Sequence, residues 1–304
     1  MSSSTTTTSG SNPSAMWQSD PNIAARYKAA ENATRPFAKI MVELSTQLAP
    51  STQDKEAPVE IFDLGCGTGA VEAEIYASRN GLEKRALDIL AGDISPPMLA
   101  YLAERAKEEG WEGVQTQIFD GQKLAESEVL AGRAFEHIYV AFAIFMLPPD
   151  TPAKLAKLLK NGATLATSTW VDLPWFPVLK EAYARMADGP GKLERSDVWK
   201  AITNGLGWWD PAFVQKTLEE AGLKQVEVVT EKVRADCGTP ENVMATMGFV
   251  LTVLSKAWPE EKREGWLVDV KQTFREVLVE QAGGEDKKVV WEFEGIVGVG
   301  VKEE

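Results

Sequence analysis

Several acids and glycines in this chain are spaced to hold a ligand where strands end. The run Val59-Glu60-Ile61-Phe62-Asp63-Leu64-Gly65-Cys66-Gly67-Thr68-Gly69-Ala70 carries an apolar strand into a Gly-x-Gly-x-Gly turn and then a helix. Glycines there let the backbone turn sharply and approach a ligand where a Cβ would clash. A pyrophosphate site usually reads Gly-x-Gly-x-x-Gly, with the anion on the helix N-terminus. Here the spacing differs, and Asp63 stands two residues before the first glycine. A carboxylate facing the ligand repels a pyrophosphate and suits a cationic or amino-bearing group. Gly92-Asp93 and Asp120-Gly121 repeat the pairing at the ends of the next two strands. Asp93 is placed to accept from both hydroxyls of a ribose, and Asp120 suits an adenine amino group. Each pair alone also reads as an ordinary turn. Three successive strand ends built this way favour a ligand lying across them.

These residues need a parallel sheet beneath them, and the hydropathy pattern supplies one. Strands are expected at Val59 to Leu64, Ala86 to Gly92, Val114 to Phe119, His137 to Phe142 and Thr164 to Trp170. Helical stretches alternate with them: Ala70 to Ser78, the charged run to Gly110, and residues 151–160. Before the first strand, Ile23, Ala24, Tyr27, Ala30, Phe37, Ile40, Met41 and Leu44 recur at helical spacing. After the fifth, Leu173 to Met186 and Pro211 to Ala221 read as helices, Gln225 to Lys232 as a strand, Pro240 to Gln281 as a long helical stretch. Val289 to Val301 alternates again. The fold expected is α/β: a doubly wound, mostly parallel seven-stranded Rossmann-like sheet, with a helical lid and helical cap insertions. No second complete core is expected. Residues 1–15, rich in Ser and Thr, read as a disordered tail, with order from about Met16 and one domain over 16–304.

Composition removes several functions. The 304 residues carry 45 Asp and Glu against 32 Lys and Arg, a formal charge of −13. Such acidity argues against a nucleic-acid or anionic-membrane surface. Two cysteines, Cys66 and Cys237, and one histidine, His137, leave no disulfide framework and no metal site. No signal peptide or membrane span is expected, which fits a reducing, cytoplasmic setting. His137 is the tempting base, but it begins its strand, at the end away from the ligand side.

The motif Asp63-Leu64-Gly65-Cys66-Gly67-Thr68-Gly69 resembles the first motif of class I S-adenosylmethionine-dependent methyltransferases, and Asp93 and Asp120 resemble that family's ribose and adenine acids. Within the class, Gly92-Asp93-Ile94-Ser95 with Met98, Val140-Ala141-Phe142, Ser168-Thr169-Trp170 and Trp258-Pro259-Glu260-Glu261 are similar to fungal secondary-metabolite enzymes. That group includes gliotoxin bis-thiomethyltransferase and the methyltransferases of roquefortine-derived alkaloids. The interval from Ser78 to Arg85 departs from the pattern as a loop insertion. The resemblance implies S-adenosylmethionine as cofactor and a small-molecule acceptor, in a monomer or homodimer. It implies backbone at Gly65 and Gly67 beside the methionine and ribose, and Asp63 as anchor of the amino group. Ile94 and Met98 would flank adenine near Asp120 and Gly121, and Ala141 and Phe142 would meet the carboxylate and sulfonium side. Tyr27, beside Arg26, would belong to a lid. Met98 and Phe142 read equally as core, and Arg26 as a solvated surface residue.

The resemblance puts an acceptor wall after strand five, at Trp170, Trp175, Phe176 and Tyr183, with Met244 and Met247 behind. Aromatic walls suit a flat, mostly apolar molecule; a second hydrophobic core under a cap explains the same residues. Asp172 and Tyr183 are the nearest candidates to hydrogen-bond the acceptor as catalytic groups. Transfer from a sulfonium is an in-line displacement that needs alignment more than a dedicated base. O-methylation of an aromatic alkaloid's hydroxyl or enol is the first expectation. S- or N-methylation, or a non-methylating pericyclase that keeps the cofactor, stands beside it.

Overall fold

The computed structural model describes residues 23–28, 30–49, 57–78 and 86–303. The tail 1–15, the expected onset of order at Met16, the insertion at 79–85 and the Arg26 side chain lie outside the described residues. Five strands run parallel: β1 (Val59–Leu64), β2 (Leu87–Asp93), β3 (Val114–Ile118), β4 (Phe135–Ala141) and β5 (Leu159–Trp170). Two late strands, β6 (Lys224–Asp236) and β7 (Val290–Val301), join as an antiparallel edge. The order across the seven-stranded sheet is β3-β2-β1-β4-β5-β7-β6. It reverses between β1 and β4, which opens a crevice at the carboxyl ends of those two strands. This is the doubly wound, mostly parallel sheet expected.

The interleaved glycines of β7 show why helices fit on both faces. A Cβ on Gly295 would stand 2.7 Å from the ring of Phe37 in α2 (Glu31–Leu48). A Cβ on Gly298, on the opposite face, would stand 2.7 Å from Val214 in a later helix (Pro211–Glu220). The main core lies between the sheet and these layers, around Phe37, Met41, Phe62, Phe135, Ile138 and Tyr139.

The remaining helices are α1 (Ile23–Tyr27), α3 (Ala70–Ser78), α4 (Pro96–Glu109), α5 (Thr151–Lys157), α6 (Phe176–Arg185), α7 (Arg195–Ile202), α8 (the Pro211–Glu220 helix), α9 (Pro240–Ser255) and α10 (Glu260–Ala282). The stretch expected from Pro240 to Gln281 is therefore two helices. Pro259 lacks an amide hydrogen and disfavours helical Trp258, so the chain breaks there. Strand β5 begins at Leu159, earlier than expected, with Gly162 at φ +78° absorbing a register shift. Helices α6, α9 and α10 pack together and enclose a second apolar cluster, the alternative reading of the aromatics after β5. It gathers Leu173, Trp175, Leu179, Tyr183, Trp199, Met247, Leu251, Trp258 and Phe274.

Candidate functional site

The glycine turn leaves β1 tied to β2: the Gly65 and Cys66 amides both donate to the Gly92 carbonyl, at 2.7 and 3.2 Å. Gly65 has φ +80°, and a Cβ on it would lie 2.8 Å from that of Ala143. Gly67 has φ +54°, and its missing Cβ would project into open space. Only glycine suits the left-handed backbone at these positions without strain. Asp93 holds the turn from the side. One carboxylate oxygen accepts from the Gly67 amide at 2.9 Å and the other from the Ser95 amide at 2.9 Å. Each oxygen keeps a lone pair for a ligand. Burial pushes the Asp93 carboxyl up, and the Ser95, Gly67 and Ile94 amides oppose that shift.

A buried ion pair braces the turn from below. Arg105 of α4 donates to Glu31 of α2 at 3.0 Å and to the Thr68 carbonyl at 2.8 Å. The Thr68 hydroxyl donates to the same Glu31 carboxylate at 2.9 Å. Sequence reading missed both charges, which are 74 residues apart and look locally like solvated helix positions.

Asp63, expected to anchor an amino group, does not reach the cavity wall. It is fully buried behind the turn, facing Glu72 of α3. Burial, then the Glu72 charge, drives the Asp63 carboxyl well above its usual range; burial likewise lifts Glu72 to about 7. Two like charges this close cannot both ionise cheaply, so the pair retains a proton. The Cys66 thiol is also driven well above its ordinary value, chiefly by burial.

Above the turn lies a cavity of about 1210 Å³. Its floor brings together Gly65, Gly67, Asp93, Ile94, Met98, Asp120, Gly121, Ala141 and Phe142, with Tyr27 at one side. Asp120 accepts from the Gln122 amide at 3.0 Å, which fixes the loop after β3. Helix α1 packs on α4, where Ile23 and Ala24 cluster with Met98 and Tyr27. Burial and then the charge of Asp93 push the Tyr27 phenol up to about 12. Phe142 sits at φ +52°, a strained setting for a bulky residue. Its amide donates to the carbonyl and hydroxyl oxygens of Ser168, at 3.1 and 3.2 Å, and its ring stacks on Trp170.

The opposite wall differs from the expected aromatic one. It comes from α7 and its end (Asp197, Lys200, Ala201, Ile202 and Asn204) and from the end of α9 (Val253, Lys256 and Ala257). Trp170 packs behind Phe142 against Phe37 and Phe293. Trp175, Tyr183 and Met247 are buried in the cap cluster, with Phe176 and Met244 against it. The reason is that α6, α7, α9 and α10 need a core of their own, and large rings bury the most area. Asp172 is paired with Arg195 and caps the Leu173 amide, so it too is off the cavity wall. The Tyr183 hydroxyl, its pKa raised by burial, faces Trp258. His137 meets the Thr164 hydroxyl at 2.7 Å at the start of β4, away from the crevice.

Residues 61–162 match the family model described as a methyltransferase domain. Methyltransferase tpcH of Aspergillus fumigatus is 29% identical over 269 residues, covering 87% of this chain and 91% of that one. Acetylaranotin bis-thiomethyltransferase of Aspergillus terreus is 26% identical, over 87% of this chain and 89% of its own length. Among solved structures, the [4+2]-cyclase SpnF is 16% identical with a TM-score of 0.46, over 88% of this chain and 82% of that one. The matched domain spans the glycine turn. The chain carries a methyltransferase domain at residues 61–162, and the relatives it resembles along most of its length are methyltransferases.

Proposed function

We propose that the chain methylates a hydroxyl or enol of a small aromatic secondary metabolite of the fungal alkaloid type. One observation carries the reading: a single cavity joins strand-end acids on its floor to a roof of mixed apolar and charged side chains. The floor fits the cofactor, because the missing side chain of Gly67 leaves open space beside Asp93. In this reading Asp93 takes the ribose hydroxyls, Asp120 and Gly121 the adenine amino group, and Ile94 and Met98 the faces of the base. Gly65 and Gly67 lie along the methionine part, and Ala141 and Phe142 on the sulfonium side. Tyr27 covers the cofactor from α1. When bound, the cofactor supplies an electrophilic methyl group on sulfur.

What remains for the chain is to align the acceptor and exclude water. No histidine lines the cavity among the described residues. Asp93 already accepts from the Gly67 and Ser95 amides and Asp120 from that of Gln122, and Tyr27 keeps its proton at neutral pH. An acceptor acidic in its own right, a phenol, enol or thiol, fits such a wall better than an amine. A thiol is the second reading, supported by the bis-thiomethyltransferase among the relatives. Incubation with S-adenosylmethionine and a panel of fungal phenols, enols and dithiols tests both. Mass spectrometry should find one added methylene on oxygen; gain on sulfur alone sinks the first reading.

The Asp93 assignment has its own test. Asp93→Ala should weaken S-adenosylhomocysteine binding by roughly 1–3 kcal/mol, the cost of removing a charged acceptor. Calorimetry giving unchanged affinity would remove Asp93 from the ribose site.

A further inference from the structure

The roof of the cavity carries two lysines that no described residue neutralises. Lys200, in the last turn of α7, and Lys256, at the end of α9, both line it, and neither meets a carboxylate or other acceptor among the described residues. Other lysines do meet one: Lys154 pairs with Asp150 at 2.9 Å, Lys160 with Glu60 at 2.7 Å and Lys262 with Asp188 at 2.6 Å, whereas Lys123, which lines the same cavity, has no carboxylate partner among the described residues. Asp197 shares the roof but is turned to its own helix start, where it accepts from the Glu194 amide at 3.2 Å.

A lysine near a helix C-terminus is often explained by the macrodipole and the unpaired carbonyls. Both ends are already served by other groups. At α7 the Thr203 hydroxyl donates to the Trp199 carbonyl at 2.7 Å, and the Gly205 amide to that of Lys200 at 3.1 Å. At α9 the Arg263 guanidinium donates to the Ser255 carbonyl at 3.1 Å. The lysines are therefore not needed as caps. Helices α7 and α9 pack on each other, so their ends converge on one wall. Beside Lys200 and Lys256 the same wall carries the apolar Ala201, Ile202, Val253 and Ala257, together with Asp197 and Asn204. Two cations beside apolar side chains attract an organic anion with a flat hydrophobic body.

We propose that Lys200 and Lys256 bind a carboxylate of the acceptor, so that the molecule methylated is an aromatic acid. This rests on the reading of the cavity as an acceptor site and names the acceptor's class. The floor, with Asp93 and Asp120, is acidic where the roof is basic, which orients the acid's carboxylate away from the strand ends.

The test is binding rather than turnover. The probes are 1-hydroxy-2-naphthoic acid and its methyl ester, offered to the full chain saturated with S-adenosylhomocysteine, with tryptophan fluorescence as readout. The acid should bind about tenfold tighter than the ester at low salt, and the difference should shrink as salt screens the charges. In the Lys200→Gln/Lys256→Gln double variant that preference should vanish, with ester and S-adenosylhomocysteine affinities unchanged. Equal binding of acid and ester, no binding of the acid, or a preference that survives in the variant overturns the proposal. So does a loss of S-adenosylhomocysteine affinity, which would give the lysines to the cofactor's carboxylate. Absence of methylation in the mass assay would sink the oxygen-transfer reading and leave this result standing.

Discussion

Replacing Arg105 with methionine should destabilise the protein by roughly 3–5 kcal/mol, because it leaves the Glu31 carboxylate buried without its main cation. Glu31 is 3% exposed, and Arg105 meets both of its oxygens, at 3.0 and 3.2 Å. Lys28 also reaches Glu31, at 2.8 Å, but from a partly solvated position that compensates only in part. The loss should therefore fall toward the lower end of the range. It should not stop at stability. The same guanidinium holds the Thr68 carbonyl, and Thr68 lies inside the glycine turn, so cofactor affinity should fall with it. Adding Glu31→Gln to Arg105→Met separates charge from packing. If the stranded carboxylate is the cause, urea denaturation should show the double variant more stable than Arg105→Met alone. A double variant as unstable as the sum of the two singles would assign the effect to lost packing.

The sheet was legible because its strands are short apolar runs bounded by glycine and acid, a local signal. Asp93, Asp120 and Gly67 were legible for the same reason: the residues that line the cavity at a strand end follow the strand directly. Asp63 shows the limit of that logic. It alternates with Leu64 along β1, and the period of two turns its side chain behind the turn, toward Glu72. The roof was invisible because residues near 200 and 256 meet the cavity only through the packing of α7 on α9. No periodicity reports a contact of that sequence separation. The aromatics after β5 did carry a signal, but an ambiguous one, since a ring in a wall and a ring in a core look alike. Helix α7 was missed altogether, its eight residues falling between two aromatic stretches that drew the eye.

The buried carboxyl pair makes stability depend on pH in a direction opposite to that of ordinary surface ion pairs. Glu72 lies in the first turn of α3, fully buried against Asp63. Burial lifts its carboxyl from 4.5 to about 7 in the folded chain, despite the lowering influence of Arg105. The native state therefore binds this proton more tightly than the unfolded chain does. The stabilisation is complete below the unfolded value near 4.5 and is lost as pH rises through about 7. Asp63 shifts the same way and acts in the same sense. Asp188 and Asp236, lowered by Lys262 and Lys288, work in reverse, and their loss belongs to more acidic solution. For a shift of this size the wild-type protein should lose roughly 3 kcal/mol between about pH 5 and about pH 8. Glu72→Gln keeps the shape and removes the titration, so its stability should change much less across that window. The amide also offers donors to Asp63, which relieves the like-charge conflict at high pH. The difference between the two denaturation profiles isolates Glu72 from the self-repulsion of a chain with formal charge −13, which both proteins share almost equally. Parallel profiles would mean that Asp63 and Glu72 are not competing for a proton. The cofactor turn would then rest on an ionised pair that something else neutralises.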